Sequence, residues 1–392
     1  MKEAKAKAAR EELAPEFRLP EEKGREERIR EERGKEEADS EDKLARALRI
    51  LAPGTALRDG IDNILRAKMG ALIVVGNSPQ VLAITEGGFH IDCEFSAASL
   101  YELAKMDGAI ILSRDARRIL YANTQLIPNP DLPSLETGIR HRTAERVARQ
   151  TGELVIAISQ RRGQISLFQG AAKYMLQDIG LLLVKANQAL QTLEKYRMVL
   201  DKDLLNLSAL EFEDLVTVFD VARVLQRSEI FGRIVREIRG YVNELGTEGR
   251  LVNMQLQELI GNIENETLHI IHDYCAQPAE KSPQEIKAML DRCSMEEISD
   301  LGIIARALGY GSAGGVMELP VSPRGYRLLQ RIPRLPFPVI ENLVNAFGDL
   351  RRILKASIEE LDDVEGIGEV RARAIKNGMK RLQEQIILDQ RL

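Results

Sequence analysis

Proline is absent from Tyr174 to Ala276, although the chain carries 14 prolines. That gap constrains the fold most, because proline breaks helices and punctuates turns. Within it, Ile179, Leu182, Leu183, Ala186, Leu190 and Leu193 recur at helical spacing. Leu204-Leu205, Leu215-Val216 and Val224-Leu225 mark further helices. A helical bundle over residues 174–308, acting as a spacer or assembly element, is the expectation. His269, His272 and Cys275 stand three apart. A helix would set them on a drifting face without a fourth ligand, so they read as packed or exposed helix residues rather than a metal site.

Ahead of the gap the pattern is mixed. Ser40 can cap a helix with Leu44, Ala47, Leu48 and Leu51 on one side, broken by Pro53-Gly54. Leu57 to Lys68 predicts a second helix with Ile61, Ile64 and Leu65 inward. Ala71 to Val75 is a continuous apolar strand, ended by Gly76-Asn77-Ser78-Pro79. Ala97 to Lys105 predicts another helix, Ala109 to Ser113 a strand, and Arg118 to Leu126 its partner across the turn at Asp115-Ala116. From Arg142 the spacing of Ala144, Val147 and Ala148 is helical up to Thr151-Gly152. Leu154 to Ser159 and Gln164 to Phe168 form a hairpin around Arg161-Arg162-Gly163. This interleaving implies a mixed α/β domain over residues 43–173. It contains no Gly-x-x-x-x-Gly-Lys-Ser/Thr run, so a nucleotide held there is not held by a P-loop.

Two features of that domain suggest chemistry. Asp107-Gly108-Ala109 places a carboxylate at the mouth of a strand, beside a glycine that permits close backbone approach. Gly138-Ile139-Arg140-His141-Arg142-Thr143 brings cationic side chains to a helix start whose first amides are free. The second suits polyanionic phosphate; the first suits a divalent metal or a hydroxyl that must lose a proton. By its residues alone, the second segment also reads as a solvated helix start.

The two segments together resemble the signatures of the diadenylate cyclase family, Asp-Gly-Ala and then Arg-His-Arg, here Asp107-Gly108-Ala109 and Arg140-His141-Arg142. From about Leu44 onward the chain is similar to one branch of that family, bacterial cyclic di-AMP synthases with a C-terminal DNA-binding module. Ile139 departs from the pattern, standing where a hydroxyl residue is common, so a side-chain hydrogen bond from that position is lost. The resemblance implies Asp107 as ligand of Mg²⁺ or Mn²⁺ and, with Arg140, His141 and Arg142, as catalytic machinery. It implies Gly108, Leu126, Ile139 and Thr143 as further ATP contacts, with Ser159, Arg161 and Arg162 weaker candidates on the rim. It also implies a homo-octamer in the bacterial cytoplasm, associated with the nucleoid and engaged in genome-integrity checking.

Beyond the bundle, Gly309-Tyr310-Gly311-Ser312-Ala313-Gly314 matches the dinucleotide fingerprint formally, but lacks the strand before it and the helix after it. Residues 309–324 therefore read as a flexible linker. Residues 325–392 resemble a tandem helix-hairpin-helix module. Its second hairpin, Leu361 to Glu369, carries Gly366 and Gly368, whose backbone amides can approach a phosphate; Arg371, Arg373, Lys376 and Lys380 follow. The first hairpin, Arg331 to Pro336, lacks those glycines, though Arg331 and Arg334 could add charge. Such hairpins also serve as protein–protein scaffolds.

At 392 residues the chain should hold several domains. Residues 1–42 are rich in Glu, Lys and Arg with little to bury, and read as a disordered charged tail. Three cysteines without motif spacing suggest reduced thiols. No apolar run approaches membrane-spanning length and no signal segment is evident, so a cytosolic protein without membrane contact is expected. A net charge of −5 argues against general coating of nucleic acid and leaves any DNA contact to a local basic patch. Two other readings stay open: a non-enzymatic DNA-junction scaffold that senses ATP, and a structure-specific nuclease. The latter is weakened because Asp107 has no nearby carboxylate cluster in sequence.

Overall fold

The computed structural model describes residues 43–277, 280–311 and 314–389. The readings of residues 1–42, the Ser40 cap among them, lie outside the described residues. The chain divides into two compact units, one running up to Ile179 with Asn243–Glu248, the other comprising Gly180–Val242 and Gly249–Leu392.

The first unit is built on an eight-stranded mixed sheet. Its strands are β1 (Ala71–Val75), β2 (Thr85–Glu86), β3 (Phe89–Glu94), β4 (Ala109–Leu112), β5 (Arg118–Leu126), β6 (Leu154–Ser159), β7 (Gln164–Gln169) and β8 (Ala172–Met175). Their order is β2-β5-β4-β1-β6-β7-β8, with β3 also pairing β5. Strands β1 and β4 run parallel; β6 and β5 flank them antiparallel. All five residues of β1 are buried, as expected of a central strand covered on both faces. Ile73 and Val75 face a core with Ile61, Ile64 and Leu100, whereas Leu72 and Val74 face Val81, Ala144, Val147 and Ala148. The alternation of the pleat thus supplies two cores from one strand.

Helices α1 (43–50), α2 (Ala56–Arg66), α3 (Pro79–Ala83), α4 (Ala97–Leu103) and α5 (Ile139–Thr151) cover the sheet. The α5 helix stops at Gly152, whose φ of 72° suits glycine and whose N–H donates to the Ala148 carbonyl at 2.8 Å. Three strands escaped the sequence reading. The β2 strand has only two residues, β3 is mostly exposed, and β8 crosses the boundary placed at 173/174.

The second unit is helical: α6 (Ile179–Glu213), α7 (Val218–Leu245), α8 (Arg250–Ile260), α9 (Ile263–Tyr274), α10 (Pro283–Arg292), α11 (Met295–Ser299) and α12 (Leu301–Ala307), then α13 (Tyr326–Gln330), α14 (Phe337–Phe347), α15 (Leu350–Lys355), α16 (Ile358–Asp362) and α17 (Glu369–Asp389). Leu182, Ala186, Leu190 and Leu193 are buried along α6. Leu204-Leu205 extends the same helix rather than starting another. Leu215-Val216 lies in no helix: Asp214 has a φ of 59° and Leu215 is 61% exposed in the connection. His272 stacks on Tyr326 with ring centroids 3.7 Å apart, a packing role.

Residues 314–324, expected to be part of a flexible linker, are held down by hydrogen bonds. Val218 N donates to the Leu319 carbonyl, Val321 N to that of Val216, and Leu350 N to that of Pro323. Arg324 donates to the carbonyls of His272, Asp273 and Cys275, capping the end of α9. In return the Asp273 carboxylate accepts from the amides of Gly325, Tyr326 and Arg327 and caps the start of α13. Burial and nearby Glu211 push Asp273 up to about 7, against the pull of those three amides. Arg327 lies at the centre of this joint, 1% exposed, between the fully buried Glu211 of α6 and Glu266 of α9. It also donates to Ser208 Oγ at 2.9 Å, while Tyr274 donates to Glu211 at 2.8 Å.

Candidate active site and nucleic-acid interface

The parallel pairing of β1 with β4 sets the starts of both strands, Gly70-Ala71 and Gly108-Ala109, at one edge of the sheet. The antiparallel neighbours bring their ends to the same edge, Ile158 opposite Ala71 and Thr124 opposite Ala109. The first turn of α5 arrives there too, and Arg140 Nη2 reaches Asp107 Oδ1 at 3.2 Å. The Asp107 side chain is as open to solvent as an isolated residue (102%), and that of Arg140 is 36% exposed. Gly70 makes room for the guanidinium: a Cβ there would lie 2.6 Å from Arg140 Nη1.

Gly108 has a structural reason to be glycine. A Cβ at that position would lie 2.3 to 2.6 Å from the backbone of Asn123 and Thr124. The expected glycine is therefore required by the sheet itself, before any ligand is considered.

The first turn of α5 holds Arg140, His141 and Arg142 and no acidic residue, and Gly138 provides no side-chain cap. Cations at a helix N-terminus oppose the dipole, so the arrangement gathers positive potential that an anion would relieve. Arg142 donates to the Thr137 carbonyl at 3.2 Å. His141 packs edge-on against Phe168 with centroids 6.2 Å apart. Burial lowers its pKa, opposed by Glu136 and aided by Lys173, Arg162 and Arg140, so the imidazole is neutral near pH 7. The influence of Arg162 puts that rim residue within electrostatic reach of the helix start. Lys173 pairs with Glu136 and lies 5.9 Å over the Phe168 ring.

The segment leading into α5 is stapled to the helix. Glu145 accepts from Ser134 Oγ at 2.6 Å and Arg149 at 2.8 Å, Arg146 donates to the Leu132 carbonyl, and Gln150 accepts from Asn129 N. Burial alone would raise the Glu145 carboxyl, but those hydrogen bonds hold it below the usual range. Ile139 stands 82% exposed at the first helical position. Leu126 differs from the other candidates, since its side chain is buried in the core with Ile84 and Ala144. Thr143 is half-buried just past the first turn, and Ser159 accepts from Arg162 N at 3.3 Å. Sequence reasoning missed Asn123 and Gly70; an asparagine inside a strand, where the type is depleted, was the available signal.

Among the described residues no group of three or more His, Cys, Asp or Glu is arranged to hold a metal ion. One exposed carboxylate beside cationic side chains suits Mg²⁺, which keeps several waters and takes the rest of its shell from phosphates. The residues fit such a cation on those terms.

The C-terminal hairpins share a core of Leu328, Leu329, Ile340, Leu343, Leu361, Ala372 and Ile375. Gly366 has a φ of 83°, and nothing lies within 4 Å of a Cβ built on Gly368. The first glycine is thus conformational and the second leaves an open approach to the start of α17, whose first amides have no intrahelical partner. Arg371 folds back to donate to the Gly366 carbonyl, and Arg373 pairs with Glu369. Lys376, expected to extend the surface, instead caps α15 through the carbonyls of Leu354 and Ala356. Arg331 is likewise engaged by Glu266. Arg334 and Lys380 stay exposed. None of the described helices is long and apolar enough to cross a membrane.

Comparison with known proteins assigns these parts. The nucleotide-binding domain of DisA bacterial checkpoint controllers matches residues 58–173, their linker region residues 176–317, and the helix-hairpin-helix motif residues 349–377. The DNA integrity scanning protein of Carboxydothermus hydrogenoformans is 59% identical over 88% of this chain and 98% of its own. That of Symbiobacterium thermophilum is 57% identical over 88% and 98%, and that of Clostridium kluyveri 54% over 90% and 98%. With an Asp-Gly-Ala turn, an Arg-His-Arg helix start, the linker helices and the hairpin motif in one chain, the protein belongs to the DisA family of DNA integrity scanning proteins and is a diadenylate cyclase.

Proposed function

We propose that the enzyme condenses two ATP molecules into cyclic 3′,5′-di-AMP and two pyrophosphates, and that binding of branched DNA at the hairpin module governs this output. The observation that carries the reading is the meeting of Asp107 with Arg140 at the cationic start of α5. Each nucleotide's 3′-hydroxyl attacks the α-phosphate of the other, so two such sites must face each other and an oligomer is required; the reading takes it to be an octamer. A bound Mg²⁺ or Mn²⁺ neutralises phosphate charge. Asp107 contributes a carboxylate oxygen to that cation and helps draw the proton from the hydroxyl. Arg140, Arg142 and the free amides of residues 139–141 hold phosphate oxygens, with His141 and Thr143 beside them. Gly108, Leu126 and Ile139 flank the nucleotide, and Ser159, Arg161 and Arg162 form its rim.

At the other end, amides around Gly366 and Gly368 approach a DNA phosphate. Arg371 and Arg373 exchange their intramolecular partners for it. Such contacts carry little base information, so shape decides, and affinity falls as salt rises. In the cell this places the enzyme in the cytoplasm at the nucleoid, in genome-integrity checking. The test is to incubate the full chain with ATP and Mg²⁺, separate the nucleotides by chromatography, and titrate in a four-way junction. Cyclic di-AMP that declines as the junction binds supports the whole reading. No cyclic product leaves the alternative of an ATP-sensing DNA scaffold. Undiminished product with the junction bound overturns the coupling alone.

A further inference from the structure

The turn that carries Asp107 is tied to the sheet by a side chain from another strand. Pairing of β4 with β5 passes from Ala109 opposite Thr124 to Ile111 opposite Tyr121, which leaves one extra residue in β5. Asn123 sits in that bulge with a φ of 54°. Bulges of this kind re-aim side chains, and asparagine, aspartate and glycine tolerate the left-handed region best. The bulge presses the Asn123 backbone so close to Gly108 that no Cβ fits there. It also turns Oδ1 toward the Gly108 amide, which donates to it at 3.2 Å.

Among the described residues Asp107 has a single side-chain partner, Arg140, and its carboxylate is otherwise open to solvent. The direction of its carboxylate is therefore set by the backbone of the turn, and the next peptide in that turn is the one Asn123 fixes. Thr124 Oγ1, donating to the Ala109 carbonyl at 3.1 Å, secures the strand just beyond. Of the residue types at home at this φ, glycine has no acceptor, whereas asparagine and aspartate both do.

We infer that Asn123 is a positioning residue for cyclisation: its side-chain oxygen pins the Gly108 amide and so fixes the approach of Asp107 to the nucleotide. The inference rests on the proposed role of Asp107.

Two substitutions separate positioning from folding. Asn123→Gly keeps the left-handed backbone and removes the oxygen, and Asn123→Asp keeps both. With the full chain, ATP and Mg²⁺, Asn123→Gly should lose about 10- to 100-fold in kcat, the scale of a small misplacement of reacting groups. Its ATP affinity by calorimetry and its thermal midpoint should stay close to those of the unaltered protein. Asn123→Asp should recover most of the kcat. The inference is overturned if Asn123→Gly turns over within about twofold of the unaltered enzyme, well short of that loss. It is equally overturned if kcat, ATP affinity and thermal midpoint fall together and Asn123→Asp is no better, because that marks a purely structural bulge. Asp107→Asn assayed alongside keeps the two claims apart. If Asp107→Asn is inactive while Asn123→Gly is active, only this inference fails; if Asp107→Asn is fully active, the reading of Asp107 fails and takes the inference with it.

Discussion

Two carboxylate–guanidinium pairs in this chain have the same chemistry and opposite surroundings. Asp107–Arg140 stands at a sheet edge with the carboxylate fully open to water. Glu211–Arg327 is sealed in the helical unit, with side chains 0% and 1% exposed. An exposed pair contributes about 0–1 kcal/mol, because water and salt screen it. Its groups can exchange one another for a ligand. A buried pair has already lost its water, and removing one partner strands the other charge. Burial, more than residue type, thus separates a pair available for chemistry from one that holds a joint.

The largest expected effect breaks the buried side of this comparison. Arg327→Met leaves Glu211 and Glu266 without their shared cation and should cost about 3–5 kcal/mol, read as a lower urea midpoint of the helical unit. Adding Glu211→Leu should restore part of the loss, since the charges hold the joint only as a set. A midpoint unchanged by Arg327→Met would show that the pair is not structural.

The second prediction breaks the exposed side. Asp107→Asn should leave the unfolding midpoint within the small range of a surface pair. Cyclic di-AMP output should fall about 100-fold or more, the scale of a lost acid–base or charge-stabilising group. A third effect concerns ATP binding. Arg140→Ala with Arg142→Ala removes two contacts of about 1.5–3 kcal/mol each. Calorimetry should show the weakened affinity, and unchanged affinity would remove both residues from the phosphate site.

The smallest effect is a slope with pH. Asp273 is raised to about 7, so the stability it contributes is present at acid pH and is lost as pH rises through that value. The burial-lowered His269 and His272 act the other way, costing stability as pH falls below their ordinary value of about 6.5. The unfolded histidines still titrate up to about pH 7.5 and offset it there. Asp273 is therefore read against Asp273→Asn, which carries the same histidines: as pH rises from about 4 to 7, the urea midpoint of the unaltered helical unit should fall relative to that of the variant. A constant difference between the two would assign the slope to other groups.

Parts of this organisation were legible in the residues alone. Ala71–Val75 was placed to the residue because a continuous apolar run between breakers is what a two-sided buried strand requires. The end of α5 at Gly152 was equally plain. Phe89–Glu94 was missed although Phe89, Ile91 and Cys93 alternate with polar residues; it is short, four of its six residues stay exposed, and it is held as a strand by pairing with β5. The 309–324 segment read as flexible from its glycines and prolines, yet residues 314–324 are tied by hydrogen bonds to the connection at Val216, to α7 and α15, and to the end of α9. Asp107 and Arg140 were singled out by type and by family resemblance. Their meeting depends on the parallel register of β1 and β4, which spacing in the sequence does not reveal. The burial of Arg327 left no trace at all, since nothing near it in sequence marks an arginine as interior.

The most direct test sets the two pairs side by side. Asp107→Asn and Arg327→Met, each in the full chain, are measured for urea midpoint and for cyclic di-AMP formed from ATP and Mg²⁺ at a temperature where both stay folded. The account predicts a crossed result: Asp107→Asn keeps the midpoint and loses the product, while Arg327→Met loses midpoint and keeps synthesis per folded protomer. Product at the unaltered level from Asp107→Asn, or an unaltered midpoint in Arg327→Met, would contradict it.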